Sequence, residues 1–228
     1  TLYNERLGVH YRSTDGAEAE SQYVFIEGTR ICERDEDWNV LELGFGAGLN
    51  FCNLAKIALR QKRPLSYRSL DHQPIPPERL PSCGHSGLDQ LITKALTQAR
   101  AENSSQLHRL GCVTLELLPF DRSELVPQPN WAKAVFHDPF GPHANPLAWT
   151  HECFEWMFKA MQQDAILATF GAAGHARRAM AAAGFTIASR PGWGRKREMT
   201  VASPSREALM ADSTNTIITK YPPGMVPR

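Results

Sequence analysis

The segment from Asn39 to Lys62, NVLELGFGAGLNFCNLAKIALRQK, limits what this chain can fold into more than any other. It opens as a short apolar run and breaks at a turn carrying Gly44, Gly46 and Gly48. Leu49, Cys52, Leu54, Ile57 and Ala58 then recur at helical spacing. A strand that leads into a helix through a glycine turn cannot close as a hairpin. Its next strand must return parallel to the first, with the helix covering the sheet.

The rest of the chain repeats that alternation. LSYRSLD predicts a second strand ending on Asp71, and GLDQLITKALTQARA an amphipathic helix with Leu88, Leu91, Ile92 and Ala95 on one face. CVTLELLPFD closes a third strand on Asp121, and KAVFHD a fourth on Asp138. ECFEWMFKAMQQ reads as a helix and AILATFG as a fifth strand. GHARRAMAAAGF is a helix with Gly184 as its cap. Two extended stretches around Pro191-Gly192 predict an antiparallel pair at the sheet edge. Ala17 to Ile26 is too short an apolar run for its period to separate helix from strand. The expected fold is therefore a doubly wound, mainly parallel α/β sheet with an antiparallel edge. An amino-terminal extension over residues 1–38 would pack on one domain spanning residues 39–228.

Composition narrows the classes. No apolar segment approaches the roughly 20 residues that span a bilayer. The five cysteines form no C-x-x-C and are widely separated, so no zinc ribbon is signalled and a reducing compartment is expected. A net charge of +1 excludes a uniformly cationic surface but leaves room for a local basic patch.

In doubly wound sheets ligands gather beyond the carboxyl ends of the strands. Glu42, Asp71, Asp121 and Asp138 all fall at or just past predicted strand ends. The glycines read G-x-G-x-G rather than the dinucleotide pattern G-x-G-x-x-G, and no G-K-[ST] completes a P-loop. Glu42 before the first glycine would repel a pyrophosphate and suits a cationic or hydroxyl-bearing ligand. Asp71 stands where such folds hydrogen-bond a ribose. Asp121 is placed to accept from an adenine amine, or is a plain loop residue. A ligand with ribose, adenine and a positive centre but no phosphate is S-adenosylmethionine. The expected cofactor-binding residues are Glu42, Gly44, Gly46, Gly48, Asn50, Asp71, Asp121 and Asp138.

ELGFGAGLNF, FHDPFGPHANPLAWT and GRKREM together resemble the methyltransferase half of the bacterial MnmC family of tRNA 5-methylaminomethyl-2-thiouridine biosynthesis proteins. They also resemble stand-alone relatives that lack that family's flavin oxidoreductase half. The likeness runs from roughly Tyr3 to Val201 and includes YVFIEG. It implies a Rossmann-like, class I S-adenosylmethionine-dependent methyltransferase in the cytoplasm. The enzyme would methylate the 5-aminomethyl group of the wobble uridine in tRNA, and a separate enzyme would supply that group. A small-molecule amine or another RNA is the alternative substrate.

Methyl transfer to an amine needs alignment and a lone pair freed of its proton. Asp138, ending the fourth strand, is the candidate catalytic residue, with a simple turn-capping acid as the bland alternative. Pro139 and Pro142 stiffen the loop that follows. Phe140 is a candidate for stacking on the uracil, and Asn145 and Trp149 for reading or covering the base, although Trp149 at a helix start equally suits the core. His137 and His143 lack metal-ligand spacing and read as bystanders, so no metal is expected. Arg190, Arg195, Lys196 and Arg197 surround a Gly-Trp-Gly turn, a pattern suited to RNA or to a solvated hairpin. Arg177 and Arg178 would extend that patch or face water. The expected substrate-binding residues are Phe140, Asn145, Trp149, Arg195, Lys196 and Arg197.

Overall fold

A computed structural model describes residues 3–4, 9–10, 16–71, 73–102, 104–118 and 125–225. Asp121 and the end of its predicted strand lie outside the described residues. The elements are β1 (Tyr3–Asn4), β2 (Val9–His10), α1 (Ala17–Ser21), β3 (Trp38–Leu43), α2 (Leu49–Gln61), β4 (Leu65–Leu70), α3 (Ser86–Glu102), β5 (Leu107–Leu110), β6 (Val113–Leu118) and β7 (Ala132–His137). They continue with α4 (His151–Ala160), β8 (Met161–Thr169), α5 (Gly174–Ala182), β9 (Thr186–Pro191), β10 (Glu198–Ser203), α6 (Arg206–Met210) and β11 (Thr216–Ile217).

Nine strands form one sheet in the order β11-β9-β10-β8-β7-β3-β4-β6-β5. The five central strands, β8 to β6, are parallel. The chain builds outward from β3 through β4 to β6, then crosses back to lay β7 on the other side of β3. The order therefore reverses between β3 and β7, which places the switch point there. The antiparallel pair is present, with β10 inserted between β8 and β9. The opposite edge carries β5, an antiparallel strand the sequence pattern did not reveal because LHRL is too short to show a period.

Alternation along the strands sorts the core onto two faces. Val40, Tyr67, Phe136 and Ala168 meet Phe51, Leu54, Leu88 and Ile92 of α2 and α3. Leu41, Val135, Leu167 and Ala202 meet Phe154, Met157, Met180 and Ala181 of α4 and α5. The ambiguous Ala17–Ile26 stretch is helical: α1 continues as a π-helix over Gln22–Glu27, and Val24, Phe25 and Ile26 join the first face. Gly28 brings this segment so near the sheet that a Cβ there would lie 3.1 Å from Met199 and 3.3 Å from Ala168.

One helix boundary differs from expectation. The sequence pattern carries α4 through Gln163, but the helix ends at Ala160 and Met161 turns extended, at φ −81° and ψ 145°. Met161 pairs with Ala132, and a register shift between Ala132 and Ala134 accommodates the longer β8. Burial of Met161 in strand geometry overrides its good helical phase.

Candidate active site

Four strand ends, those of β7, β3, β4 and β6, are laced together around the point where the strand order reverses. The backbone N–H of Asp138 donates to Leu43 (2.9 Å), that of Gly44 to Leu70 (2.9 Å), and that of Asp71 to Leu118 (3.0 Å). Each residue just past its strand is thus fixed by the neighbouring strand, and the acids converge on one edge.

The glycine loop sits inside this lacing. Gly44 has φ +94°, and a Cβ there would lie 2.6 Å from the Asp138 carbonyl oxygen. Gly46 and Gly48 also have positive φ, and Gly48 opens α2. Asp71 holds the loop from the side: its Oδ2 accepts from the Gly46 N–H (3.0 Å) and its Oδ1 from the Gln73 N–H (3.0 Å).

Beneath the loop lies a buried polar chain. The Ser21 hydroxyl donates to Asn50 Oδ1 (2.6 Å), and the Asn50 amide donates to Glu42 Oε1 (2.8 Å) and to Asp138 Oδ2 (2.9 Å). The Ser69 hydroxyl completes it on Glu42 Oε2 (2.9 Å). Ser21, Glu42, Asn50 and Ser69 are each 0% exposed, whereas Asp138 is half-buried and reaches the surface of the site. Glu42 and Asn50 therefore stand behind the loop and support it. Ser21 and Ser69 carried no signal in the sequence, since nothing local distinguishes them from other serines.

The loop after Asp138 is braced from below. Trp149 is 4% exposed; its indole N–H donates to the Phe140 carbonyl (2.9 Å), and its ring stands edge-on to His137, centroids 4.6 Å apart. The indole is thus a strut under the loop, with Phe140 and Asn145 half-buried above it. His137 is fully buried: Nε2–H donates to the Ala148 carbonyl (2.8 Å), and Nδ1 accepts from Thr169 Oγ1 (3.3 Å). Burial pushes its pKa down to about 4, so the ring is neutral and holds the loop to β7.

The basic turn joins β9 to β10. Because β9 runs parallel to β8, this turn projects from the same sheet edge as Asp138. Arg195, Lys196 and Arg197 are exposed there, and Arg178 on α5 is exposed too. Lys196 is tied to the amino-terminal helix through Glu20 (3.0 Å) and lies over the Phe170 ring (4.6 Å). Two arginines of the expected patch are buried instead. Arg190 pairs with Asp212, and Arg177 bonds Thr200 Oγ1 (3.0 Å) and Glu198 (2.9 Å). Neither faces an incoming ligand, because each pairs with a neighbouring strand or turn.

Among the described residues no group of three or more His, Cys, Asp or Glu side chains is placed to hold a metal ion. No described helix is long and apolar enough to cross a membrane.

The model of a family described as S-adenosyl-L-methionine-dependent methyltransferase matches residues 85–205, more than half of the chain. The Ralstonia nicotianae tRNA 5-methylaminomethyl-2-thiouridine biosynthesis bifunctional protein MnmC is 33% identical over 217 residues, 89% of this chain and 33% of that protein. The protein of that name from Cupriavidus metallidurans is 34% identical over 216 residues, 89% of this chain and 32% of its own. The chain thus spans about a third of the length of these curated relatives. Among solved structures, MNMC2 from Aquifex aeolicus superposes with a TM-score of 0.74 at 26% identity, covering 90% of this chain and 67% of that one. The CurJ carbon methyltransferase, at 12% identity and a TM-score of 0.52, shares the fold.

Proposed function

This chain belongs to the S-adenosyl-L-methionine-dependent methyltransferase family, and we propose that it methylates the 5-aminomethyl group of the wobble uridine in tRNA, giving 5-methylaminomethyluridine with or without a 2-thio group. The observation that carries this reading is Asp138, an acid held by Asn50 at the switch point, beside the glycine loop and at the same end of the sheet as a cationic turn. The names of the relatives direct the choice of substrate.

The residues present fit the cofactor. Gly44, Gly46 and Gly48 let the backbone approach a ligand closely, Asp71 stands at the strand end used for ribose hydroxyls, and the acids complement a positive centre. Asp121, outside the described residues, joins this set on its sequence position alone. When bound, S-adenosylmethionine supplies an electrophilic methyl on a positive sulfur and leaves as a neutral thioether. The chain must then align an amine and relieve it of a proton. Asp138 accepts a hydrogen bond from the amine N–H and so points the nitrogen lone pair at the methyl; it is also the acceptor for the proton released. Phe140 offers a flat apolar face for the uracil, Asn145 a hydrogen-bonding edge, and Trp149 the brace that keeps both in place. Arg195, Lys196 and Arg197 meet phosphates. A separate enzyme of the same cytoplasm delivers the aminomethyl uridine.

The test incubates the protein with labelled S-adenosylmethionine and two tRNA samples, one carrying 5-aminomethyluridine and one with unmodified wobble uridine. Nucleoside mass spectrometry should find methyl only in the first. Cofactor binding without methylation of either sample rules out this substrate and leaves a small-molecule amine or another RNA.

A further inference from the structure

Asn50 is a side chain whose hydrogen bonds run in three directions. Its Oδ1 accepts from Ser21 on the amino-terminal helix, and its two N–H groups reach two different carboxylates, Glu42 and Asp138. An amide NH2 has two hydrogens, so both are committed. With 0% exposure, Asn50 has no surface to offer a ligand. A neutral donor between two acids also does what no acid or base could do there. It donates to both carboxylates at once without adding a charge, while setting the plane of the half-buried one.

We propose that Asn50 is the positioning residue for Asp138, and that Ser21 extends this control to the amino-terminal helix. The inference rests on the reading of Asp138 as the acid that meets the amine. The acids draw the NH2 to their side, and the Ser21 hydroxyl donates to the oxygen that is left, pinning the far side of the amide. Ser69, donating to the second oxygen of Glu42, keeps that acid from turning away. Four buried side chains from α1, α2, β3 and β4 thus aim one half-buried carboxylate. Misaiming an attacking group by even about 1 Å costs on the order of 100-fold in rate.

The test is a double-mutant cycle on methyl transfer to tRNA carrying 5-aminomethyluridine, with saturating cofactor and folding checked by thermal melting. Asn50→Ala should lower kcat roughly 10- to 100-fold while cofactor Kd, measured by calorimetry, moves less than about threefold. Ser21→Ala should give a smaller loss, roughly 3- to 10-fold in kcat. If Asn50 acts through Asp138, Asn50→Ala should cost little more once Asp138→Ala is present. Multiplying losses in the double variant, or kcat within twofold of the parent for both single variants, would overturn the inference. Full activity of Asp138→Ala would instead remove the reading beneath it. Should Asn50→Ala fail to fold, Ser21→Ala in the Asp138→Ala background runs the same cycle.

Discussion

The site depends on places where one atom more would be too many. At Gly44 an added methyl group would meet the Asp138 backbone at 2.6 and 2.9 Å, at a φ that side chains rarely adopt. That clash involves main chain, so no rotamer relieves it. Gly44→Ala should therefore cost about 1–3 kcal/mol in stability and displace Asp138 as well. Thermal melting should show the loss of stability, and calorimetry a weaker cofactor affinity. An unchanged melt with normal binding would mean the β3 and β7 ends have slack that the geometry denies.

Among the elements, the end of α5 shows a local motif doing a separable job. The Gly184 N–H donates to Ala181 (3.0 Å) and the Phe185 N–H to Met180 (3.2 Å), the paired bonds of a Schellman turn. Gly184 has φ +105°, with the Phe158 ring 3.2 Å from where a Cβ would go. Gly184→Ala should cost about 1–2 kcal/mol and lower Tm by a few degrees, while kcat stays within twofold. This cap was legible in the sequence because a glycine after an apolar-periodic run has one strong local meaning. The strand–turn–helix of β3 and α2 was legible for the same reason, and the acids at strand ends followed from it. What local pattern could not supply was depth. Arg177 and Arg190 look like Arg195 and Arg197 on paper, but two are paired inside and two are outside. Trp149 joined the candidates for the base, although its indole turns inward to Phe140. Asn50 read as a cofactor-binding residue, yet its environment is set by Ser21 and Asp138, one 29 residues before it and the other 88 after. β5 and the end of α4 escaped because pairing partners decide short strands, and those partners are distant in the chain.

Across the whole molecule, two responses to solution conditions should separate stability from binding. His137 ordinarily would titrate near 6.5 but is held down to about 4 by burial. Between those values the unfolded chain takes up a proton that the folded chain refuses. Stability is therefore full above about pH 6.5 and falls toward pH 4, at up to ~1.4 kcal/mol per pH unit from this group. Tm measured across that window should decline, and His137→Gln should flatten that part of the curve while lowering Tm near pH 7.5. Binding should respond to salt instead. Replacing exposed Arg195 and Arg197 by Gln should weaken tRNA binding and reduce the slope of log K against log salt by roughly 0.7–0.9 for each phosphate left without its cation. Cofactor affinity should stay constant. A salt slope that does not change would place the RNA on another face.

The insertion of β10 between β8 and β9 also has a bearing on how the chain is made. β8 is nine residues long and its last five are buried, yet its outer neighbour is supplied by residues 198–203. During synthesis, everything through β8 and α5 emerges while that strand still presents an unpaired, apolar edge. Such an edge is a template for pairing with other chains. The nascent protein thus passes through an interval, closed only by the last hairpin, in which its solubility depends on a chaperone or on speed. Ribosome-stalled chains in which Gly184, but not yet β10, has cleared the exit tunnel should bind a hydrophobic-segment chaperone, and chains in which Ser203 has cleared it as well should release it.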